Sequence, residues 1–500
     1  MMKRLLALVL SLCFMLGGCA EAGTTQHTAE GDGAMPTVTD EQPIAVESFE
    51  KLALRLAVLP ELPQEPDESA LWEELGKLDY DKLGAEAYNA AYQALWEEYS
   101  SQQTAYYDAL RALRGEGMDE ALTLPLTKYT LRTARQLFSD ATEENVVYSP
   151  ANLYLALCML AETTNGDSRA QILELLGLDS VEQARSAANL LWRNLYRDGA
   201  NGKTLLANSI WLNEQFDYHE DTVDTLANDY YASTFRAPMG DKATDAAIAE
   251  WINANTNGLL KDAAASLETK PETLMMLIST LYFKGTWSDQ FAEYNTSEDV
   301  FTNANGTEQH VDFMHKTDER REYYRRVAPD YGFTVASLPF RDGMSMWFLL
   351  PDEGTTLTDT IFAELPRFVD TGGLESPDPG LEYGTADIHW SVPKFDVDSD
   401  LDLIPALQAL GVTDVFGDRA DFSPLTDLDA LVSAVKHAAR VKVDEEGCEA
   451  AAFTAIMAEA TAMMPENLPV VEMNLNRPFG FLITGADGLP LFTGIVNTMK

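Results

Sequence analysis

The chain has 500 residues, of which 46% are hydrophobic and 10% aromatic, so it can bury a large core. It carries 80 acidic and 35 basic residues, a formal net charge of -45. This acidity argues against nucleic acid and anionic lipid headgroups as partners, and it is typical of a solubilising surface.

The N-terminus predicts export and a lipid anchor. A basic start precedes an apolar run over 5–16, which is too short to span a bilayer as a permanent anchor. The run ends in Leu-Gly-Gly-Cys, which resembles the bacterial lipoprotein signal. We therefore expect a signal peptide over 1–18, acylation of Cys19, and anchoring to the outer face of the bacterial cell membrane, since two or three acyl chains hold a protein stably. Ordinary signal cleavage near Ala20 is the alternative.

Two segments are predicted to precede the main body of the chain. Residues 19–46 have the composition of a flexible tether, and residues 47–120 are predicted to form an acidic helical segment. Three prolines, at 60, 63 and 66, divide the second segment into a shorter and a longer helical part. Aromatic residues recur at helical spacing in the longer part, namely Tyr88, Tyr92, Trp96 and Tyr99. The stripe predicts core packing, with a partner surface as the alternative.

Residues 121–500 show long apolar strands and irregularly placed helices, which is typical of an α+β fold. Strands are predicted at NVVY, LANSIWL, LMMLISTLYF, FTVASLPF, MSMWFLLP and FGFLITG. Helices are predicted at LTKYTLRTARQLF, ANLYLALCMLAETT and SDLDLIPALQALG. No internal repeat occurs.

The cysteines and histidines do not indicate a metal site or a disulfide framework. Cys13 leaves with the signal and Cys19 would be acylated, so only Cys158 and Cys448 stay in the body, without metal-ligand spacing. The closest histidine pair, five residues apart at 310 and 315, suits a metal poorly. We expect no metal and no cofactor.

No catalytic motif is present, since the chain lacks GxSxG, HExxH and a phosphate-binding glycine loop. Cys448 and His437 could be proposed as a nucleophile and its base. However, Glu446 and Glu449 flank the cysteine, and neighbouring carboxylates disfavour the thiolate that a nucleophile needs. The chain is therefore predicted not to be an enzyme.

The stretch over 441–464, VKVDEEGCEAAAFTAIMAEATAMM, is the most informative one. If the stretch is a strand, alternate residues lie on one face, and the side chains of one face are small or apolar and free of charge: Cys448, Ala450, Ala452, Thr454, Ile456, Ala458 and Ala460. The opposite face carries Glu449 and Glu459. Such a strand could slide between two packed strands, because small inward side chains avoid clashes. An exposed alanine-rich loop or helix is the alternative.

Many motifs along 121–500 resemble those of the serpin family, in the family's order. They are NVVYSP, DSRAQILELLG, TNGLLKD, LYFKGTWSDQF, SLPF with MSMWFLLP, VPKFDVDSDLDLIPALQALGVTDVF, EEGCEAAAFTA and NRPFGFLITGADGLPLFTGIVN. The resemblance implies a metastable serpin domain over 121–500 with three β-sheets, about nine helices and an exposed reactive loop over 445–477. Loop insertion in this family releases stored strain.

The resemblance also implies site residues. The family's spacing from Gly447 places the reactive bond between Thr461 and Ala462, within one or two residues. Lys394 matches a lysine that pairs with a hinge glutamate, here Glu445. The hinge consists of Glu445, Gly447, Cys448, Glu449, Ala450, Ala451, Ala452 and Thr454.

Another family feature is a polar cluster under the sheet, which is matched by Ser149 and His437. Two departures occur there: Asn152 stands where serine is usual, and Ser279 where asparagine is usual. Cys448 also replaces a usual threonine or serine, and Phe453 a usual alanine. These departures leave the local hydrogen bonds of the cluster open.

The predicted function is suicide inhibition of serine proteases, with cysteine proteases as an alternative target class. A short, uncharged residue at 461 favours elastase-, chymotrypsin- or subtilisin-like enzymes over trypsin-like ones. The protease would be held as a covalent acyl complex by a monomeric, membrane-anchored inhibitor. One alternative is a non-inhibitory binding or chaperone lipoprotein of the same fold, and another is a structural lipoprotein that acts through its helical segment.

Overall fold

A computed structural model of the chain describes residues 48–114, 120–139, 141–199, 202–327, 332–355, 357, 381–448 and 468–499. Its strands and helices are numbered in chain order below. The mixed α+β architecture predicted from the sequence is confirmed.

The central sheet contains eight of the described strands in the order β1-β5-β4-β6-β14-β13-β12, with β3 paired to β4. They are β1 (Ala53–Arg55), β3 (Arg197–Asp198), β4 (Gly202–Asn213), β5 (Ala232–Ala237), β6 (Met275–Thr286), β12 (Phe395–Asp402), β13 (Lys436–Val443) and β14 (Gly447–Cys448). The short β14 lies between β6 and β13, which makes it the strand of interest for the site.

The second network has nine described strands in the order β15-β11-β8-β9-β10-β16-β17-β2, with β7 paired to β8. They are β2 (Val146–Tyr148), β7 (Thr296–Thr302), β8 (Glu308–Val327), β9 (Gly332–Pro339), β10 (Ser345–Pro351), β11 (Leu381–Pro393), β15 (Val470–Asn474), β16 (Phe479–Thr484) and β17 (Pro490–Val496). The first half of β8 pairs with β7 and its last residues pair with β9. Through this long strand the remaining two expected sheets join into one hydrogen-bonded network.

Eleven α-helices lie within the described residues, three of them in the N-terminal segment. They are α1 (Glu68–Gly76), α2 (Tyr80–Leu83), α3 (Ala85–Arg114), α4 (Glu120–Phe138), α5 (Pro150–Thr163), α6 (Gly166–Leu176), α7 (Val181–Leu195), α8 (Glu220–Asp229), α9 (Lys242–Asn255), α10 (Lys261–Ala265) and α11 (Ile404–Ala409). None of them is long and apolar enough to cross a membrane.

Two helices sandwich the central sheet. Helix α5 is buried along nearly its whole length and packs in the main core with Ile210 of β4 and Leu281 of β6. Helix α9 covers the opposite face, where Trp251 packs with Trp211 of β4. Strand β6 therefore has packed side chains on both faces, as its continuous apolar sequence predicts.

The predicted strands are present as β2, β4, β6, β9, β10 and β16, and the first two predicted helices as α4 and α5. The helix predicted over 399–411 is wrong in its first part, because α11 begins only at Ile404. The preceding residues complete β12, in which Phe395 and Val397 alternate with exposed aspartates. This period of two is the pattern of an edge strand with one buried face.

The N-terminal segment joins the body through an edge strand that the sequence did not predict. Before the three prolines, β1 pairs with β5, and Phe49 packs edge-on against Phe235 at 6.0 Å between ring centroids. After them, α1 and α2 pack against part of the aromatic stripe of α3, while Tyr92 remains 38% exposed. Trp96 meets Trp72 at 5.8 Å, and Tyr88 meets Tyr80 at 5.4 Å. The stripe thus packs within the segment.

Candidate functional site

A tight turn over 444–447 connects β13 to β14. The backbone N–H of Asp444 donates to the carbonyl oxygen of Gly447 at 3.0 Å. The Asp444 carboxylate accepts from the backbone N–H groups of Glu446 at 3.1 Å and Gly447 at 3.3 Å. Aspartate at the first position and glycine at the fourth suit such a turn. The turn reverses the chain and directs the hinge into the central sheet.

The segment that follows β6 holds this turn in place. The backbone N–H of Trp287 donates to the Glu446 carbonyl oxygen at 3.0 Å, and the indole N–H donates to the Asp444 carbonyl oxygen at 3.0 Å. The backbone N–H of Phe291 donates to the Glu445 carbonyl oxygen at 3.1 Å. The sequence alone does not identify Trp287 or Asp444 as site residues. The Asp-x-x-Gly spacing was the available signal for the turn.

Glu445 and Lys394 form the predicted ion pair, with 2.9 Å between Oε2 and Nζ. Thr296 also donates to the carboxylate, at 2.8 Å. Burial acts to raise the pKa of Glu445, but hydrogen bonds from Lys394, its own backbone N–H and Thr296 outweigh it, so the net pKa is lowered. The same contact with Glu445 raises the pKa of Lys394. The ion pair therefore keeps both Glu445, at the start of the hinge, and Lys394 in their charged forms.

Gly447 and Cys448 are already strand residues. Cys448 pairs with Val443 of β13 on one side and Gly285 of β6 on the other. Among the described residues no ladder joins β6 directly to β13, so these two hinge residues alone bridge them. A Cβ at position 447 would collide with the Gly285 carbonyl oxygen, so the close approach of the strands requires glycine there.

Below the hinge a cleft of about 260 Å³ lies between β6 and β13. Its floor is α5, with Asn152, Leu153, Ala156, Leu157 and Leu160. Its roof is formed by Ile252 of α9, by Leu260 just before α10, and by Ala263 and Ala264 of α10. The walls are residues 275–280 of β6 and the start of β13. This cleft passes through the sheet and has the position of a missing strand.

The polar cluster predicted from Ser149 and His437 is present at the end of this cleft that is nearer the hinge. The backbone N–H of Ser149 donates to His437 Nε2 at 3.0 Å, and its hydroxyl donates to the Leu491 carbonyl oxygen at 2.6 Å. The same hydroxyl accepts from the backbone N–H of Asn152 at 3.1 Å and caps α5. The cluster joins α5 to β13 and β17.

The two departures from the family pattern face each other. The Asn152 side-chain amide donates to the Ser279 carbonyl oxygen at 2.9 Å, and the Ser279 hydroxyl contacts the Asn152 amide oxygen. That hydroxyl is also 2.8 Å from Asn208 Oδ1. The amide and the hydroxyl have exchanged places, and both still connect α5 to the central sheet.

His437 is held neutral in this cluster. Burial lowers its pKa from 6.5 to about 4, and Nε2 accepts a hydrogen bond and so carries no proton. The ring lies at the wall of the cleft, with 6% of the residue exposed. Protonation would place an uncompensated charge beside the gap between β6 and β13.

The structure thus separates the predicted residues into two groups. Ser149, Asn152, Ser279 and His437 form the cluster, and Glu445 with Lys394 lies at the hinge end of β12 and β13. The remaining predictions lie outside the described residues: Cys19, Glu449, Ala450, Ala451, Ala452, Thr454, Thr461 and Ala462.

Comparisons with known proteins agree with this geometry. A family model described as Serpin (serine protease inhibitor) matches residues 125–499. Serpin-ZX of Arabidopsis thaliana is 28% identical over 76% of this chain and 97% of its own length. The leukocyte elastase inhibitor of Sus scrofa is 28% identical over 73% of this chain and 95% of its own length.

Solved structures show the same relationship. The thermophilic serpin tengpin in its native state superposes with a TM-score of 0.65 at 28% identity, covering 77% of this chain and 96% of that one. Human thyroxine-binding globulin, at 21% identity and a TM-score of 0.62, shares the fold. Since the family model spans three quarters of the chain, this protein belongs to the serpin family.

Proposed function

We propose that this serpin is a one-use inhibitor of serine proteases with small or apolar specificity, with cysteine proteases as an alternative class. One observation carries the proposal: Gly447 and Cys448 are hydrogen-bonded on both sides between β6 and β13, at the head of an open cleft. A loop cut beyond this point can extend the strand that these residues begin. The alternate residues from Cys448 to Ala460, which carry no charge and would share one face of a strand, support the same interpretation.

Inhibition then follows from the order of two events. The protease attacks the bond after Thr461, and the acyl-enzyme is carried with the loop as it enters the sheet. The name of the elastase inhibitor among the relatives supports an uncharged cleavage site. Strand insertion must precede deacylation, so small side chains along the loop favour inhibition over turnover.

Incubation with elastase-, chymotrypsin- and subtilisin-like proteases tests the proposal. We expect a complex that survives boiling in detergent on denaturing gels, with cleavage at or within two residues of Thr461–Ala462. A catalytically inactive serine-to-alanine protease is the matched control and should give no such complex. If every active protease cuts the loop and is released active, the chain is a non-inhibitory member of the family.

We also propose that the inhibitor is anchored by an acylated Cys19 to the outer face of a bacterial membrane. The Leu-Gly-Gly-Cys signal supports this localisation. In a bacterial host the wild type should partition into the detergent phase, whereas Cys19→Ala should be soluble or unprocessed. Cys13→Ala, inside the signal itself, is the control and should partition like the wild type. Equal partitioning of all three proteins would contradict the anchor.

A further inference from the structure

One row of charged side chains crosses the central sheet just below the hinge. Asp198 of β3 lies opposite Lys203 of β4, which lies opposite Lys284 of β6. On the other side of the cleft, Lys442 of β13 lies opposite Asp396 of β12. From β3 to β6 the side chains are negative, positive and positive. Beyond the cleft, they are positive on β13 and negative on β12.

The two lysines beside the cleft have no partner within the described residues. Asp198 contacts Lys203, and Asp396 binds Arg440 at 2.7 Å, so each of these two carboxylates already has a basic partner. Lysines directly opposite each other, as Lys203 and Lys284 are, destabilise a sheet. The intact sheet therefore carries unbalanced positive charge on both sides of the cleft.

The ladder at β14 fixes which loop residue would meet these lysines. Cys448 pairs with Gly285 and Val443 in antiparallel registers, so one further step places residue 449 between Lys284 and Lys442. Residue 449 is a glutamate. We propose that Lys284 and Lys442 are positioning residues, which set the register of the inserting segment 449–460 by binding the Glu449 carboxylate. The inference rests on the proposed loop insertion.

The same register would also provide space for the bulky side chain of Phe453. Four steps further along, the strand positions beside residue 453 are Thr280 of β6 and Ala438 of β13. Both are small, and both line the cleft together with Ala263 and Ala264 of α10. The aromatic ring therefore has space under the apolar roof. A register shifted by two residues would instead place the Phe453 ring beside Arg440 or Lys436. The charge of Glu449 and the size of Phe453 therefore favour the same register.

Loop cleavage by a trace of a broad-specificity endopeptidase, followed by thermal unfolding in fixed guanidinium, tests the inference. The measured quantity is the rise in melting temperature between the intact and the cut protein. In Lys284→Glu/Lys442→Glu this rise should be smaller than in the wild type by roughly 3–6 °C, because two attractions become repulsions. Adding Glu449→Lys to the double variant should restore the rise.

Lys436→Glu is the matched control, since Lys436 lies on the same face of β13 but would meet Ala455 in this register. It should keep the wild-type rise. If the charge-reversed variants and the control all keep the wild-type rise, the register is wrong while loop insertion stands. A wild type without any rise overturns loop insertion itself, and this inference with it. If the double variant does not fold, the exposed single change Lys442→Glu, with and without Glu449→Lys, decides in the same way.

Discussion

Cleavage of the reactive loop is expected to raise the melting temperature of the protein by tens of degrees. A strand that extends from Gly447–Cys448 into the cleft gains hydrogen-bonded ladders with β6 and β13. At about 1 kcal/mol net per hydrogen bond over roughly a dozen residues, the gain is on the order of 10–20 kcal/mol. Since about 1 kcal/mol moves a melting temperature by a few degrees, the intact protein lies far above its most stable form.

Calorimetry of intact and cut protein measures this gain, and Ala452→Arg separates insertion from cleavage. Its guanidinium would have to be buried against α5 without a partner, which is costly. The cut variant should lose most of the added heat resistance and the intact variant should melt like the wild type. Asn467→Arg adds the same charge beyond the proposed cut and should behave as the wild type does. Equal melting of cut and intact wild type would rule out insertion.

Acidification should destabilise the intact protein through His437. The folded-state pKa is about 4 and the ordinary value is 6.5, so between these two pH values the unfolded chain binds a proton that the folded chain does not. Stability from this residue is complete above pH 6.5 and is lost as the pH falls toward 4. This difference between the two pKa values corresponds to about 3 kcal/mol.

Guanidinium unfolding midpoints from pH 7 to 4 measure this loss against His437→Gln. Glutamine can accept the Ser149 N–H without titrating, so the variant should lose less stability over this range. Carboxylates titrate in both proteins, and the difference between the two curves isolates the histidine. His310→Gln, at an exposed site, should follow the wild-type curve. Parallel curves for wild type and His437→Gln would show that the imidazole is not kept neutral by burial.

Local patterns predicted most of the fold where periodicity and tertiary context agree. The apolar run of β6 and the cap at Ser149–Pro150 define their elements without reference to distant residues. Strand β1 was missed because Ala53–Arg55 has only three residues, and its strand character comes from pairing with β5. The helix predicted from Ser399 was wrong because good helix formers at 406–409 outweighed an alternation that ends at Asp402.

For the candidate site, the sequence predicted the chemical type of the residues better than it predicted which residues contact one another. The period of two in the loop indicated a strand with one small face, but it did not indicate that α10 covers the cleft with apolar side chains. Likewise, Asn152 and Ser279 were recognised as departures, and only their contact across α5 and β6 shows that they exchange roles. Such pairings depend on contacts between residues far apart in the chain, which no single-sequence pattern specifies.

The pairing of β15 with β11 has a consequence for the molecule after cleavage. Residues 470–474 form a parallel ladder with β11, and the two strands that follow, β16 and β17, are wholly buried in the second network. A cut at Thr461 therefore leaves a C-terminal peptide whose strands complete another chain's core. The product is in effect an obligate heterodimer of two fragments, joined by an interface as apolar as a protein interior. A label at the C-terminus would stay with the N-terminal fragment after the cut, although no peptide bond connects them.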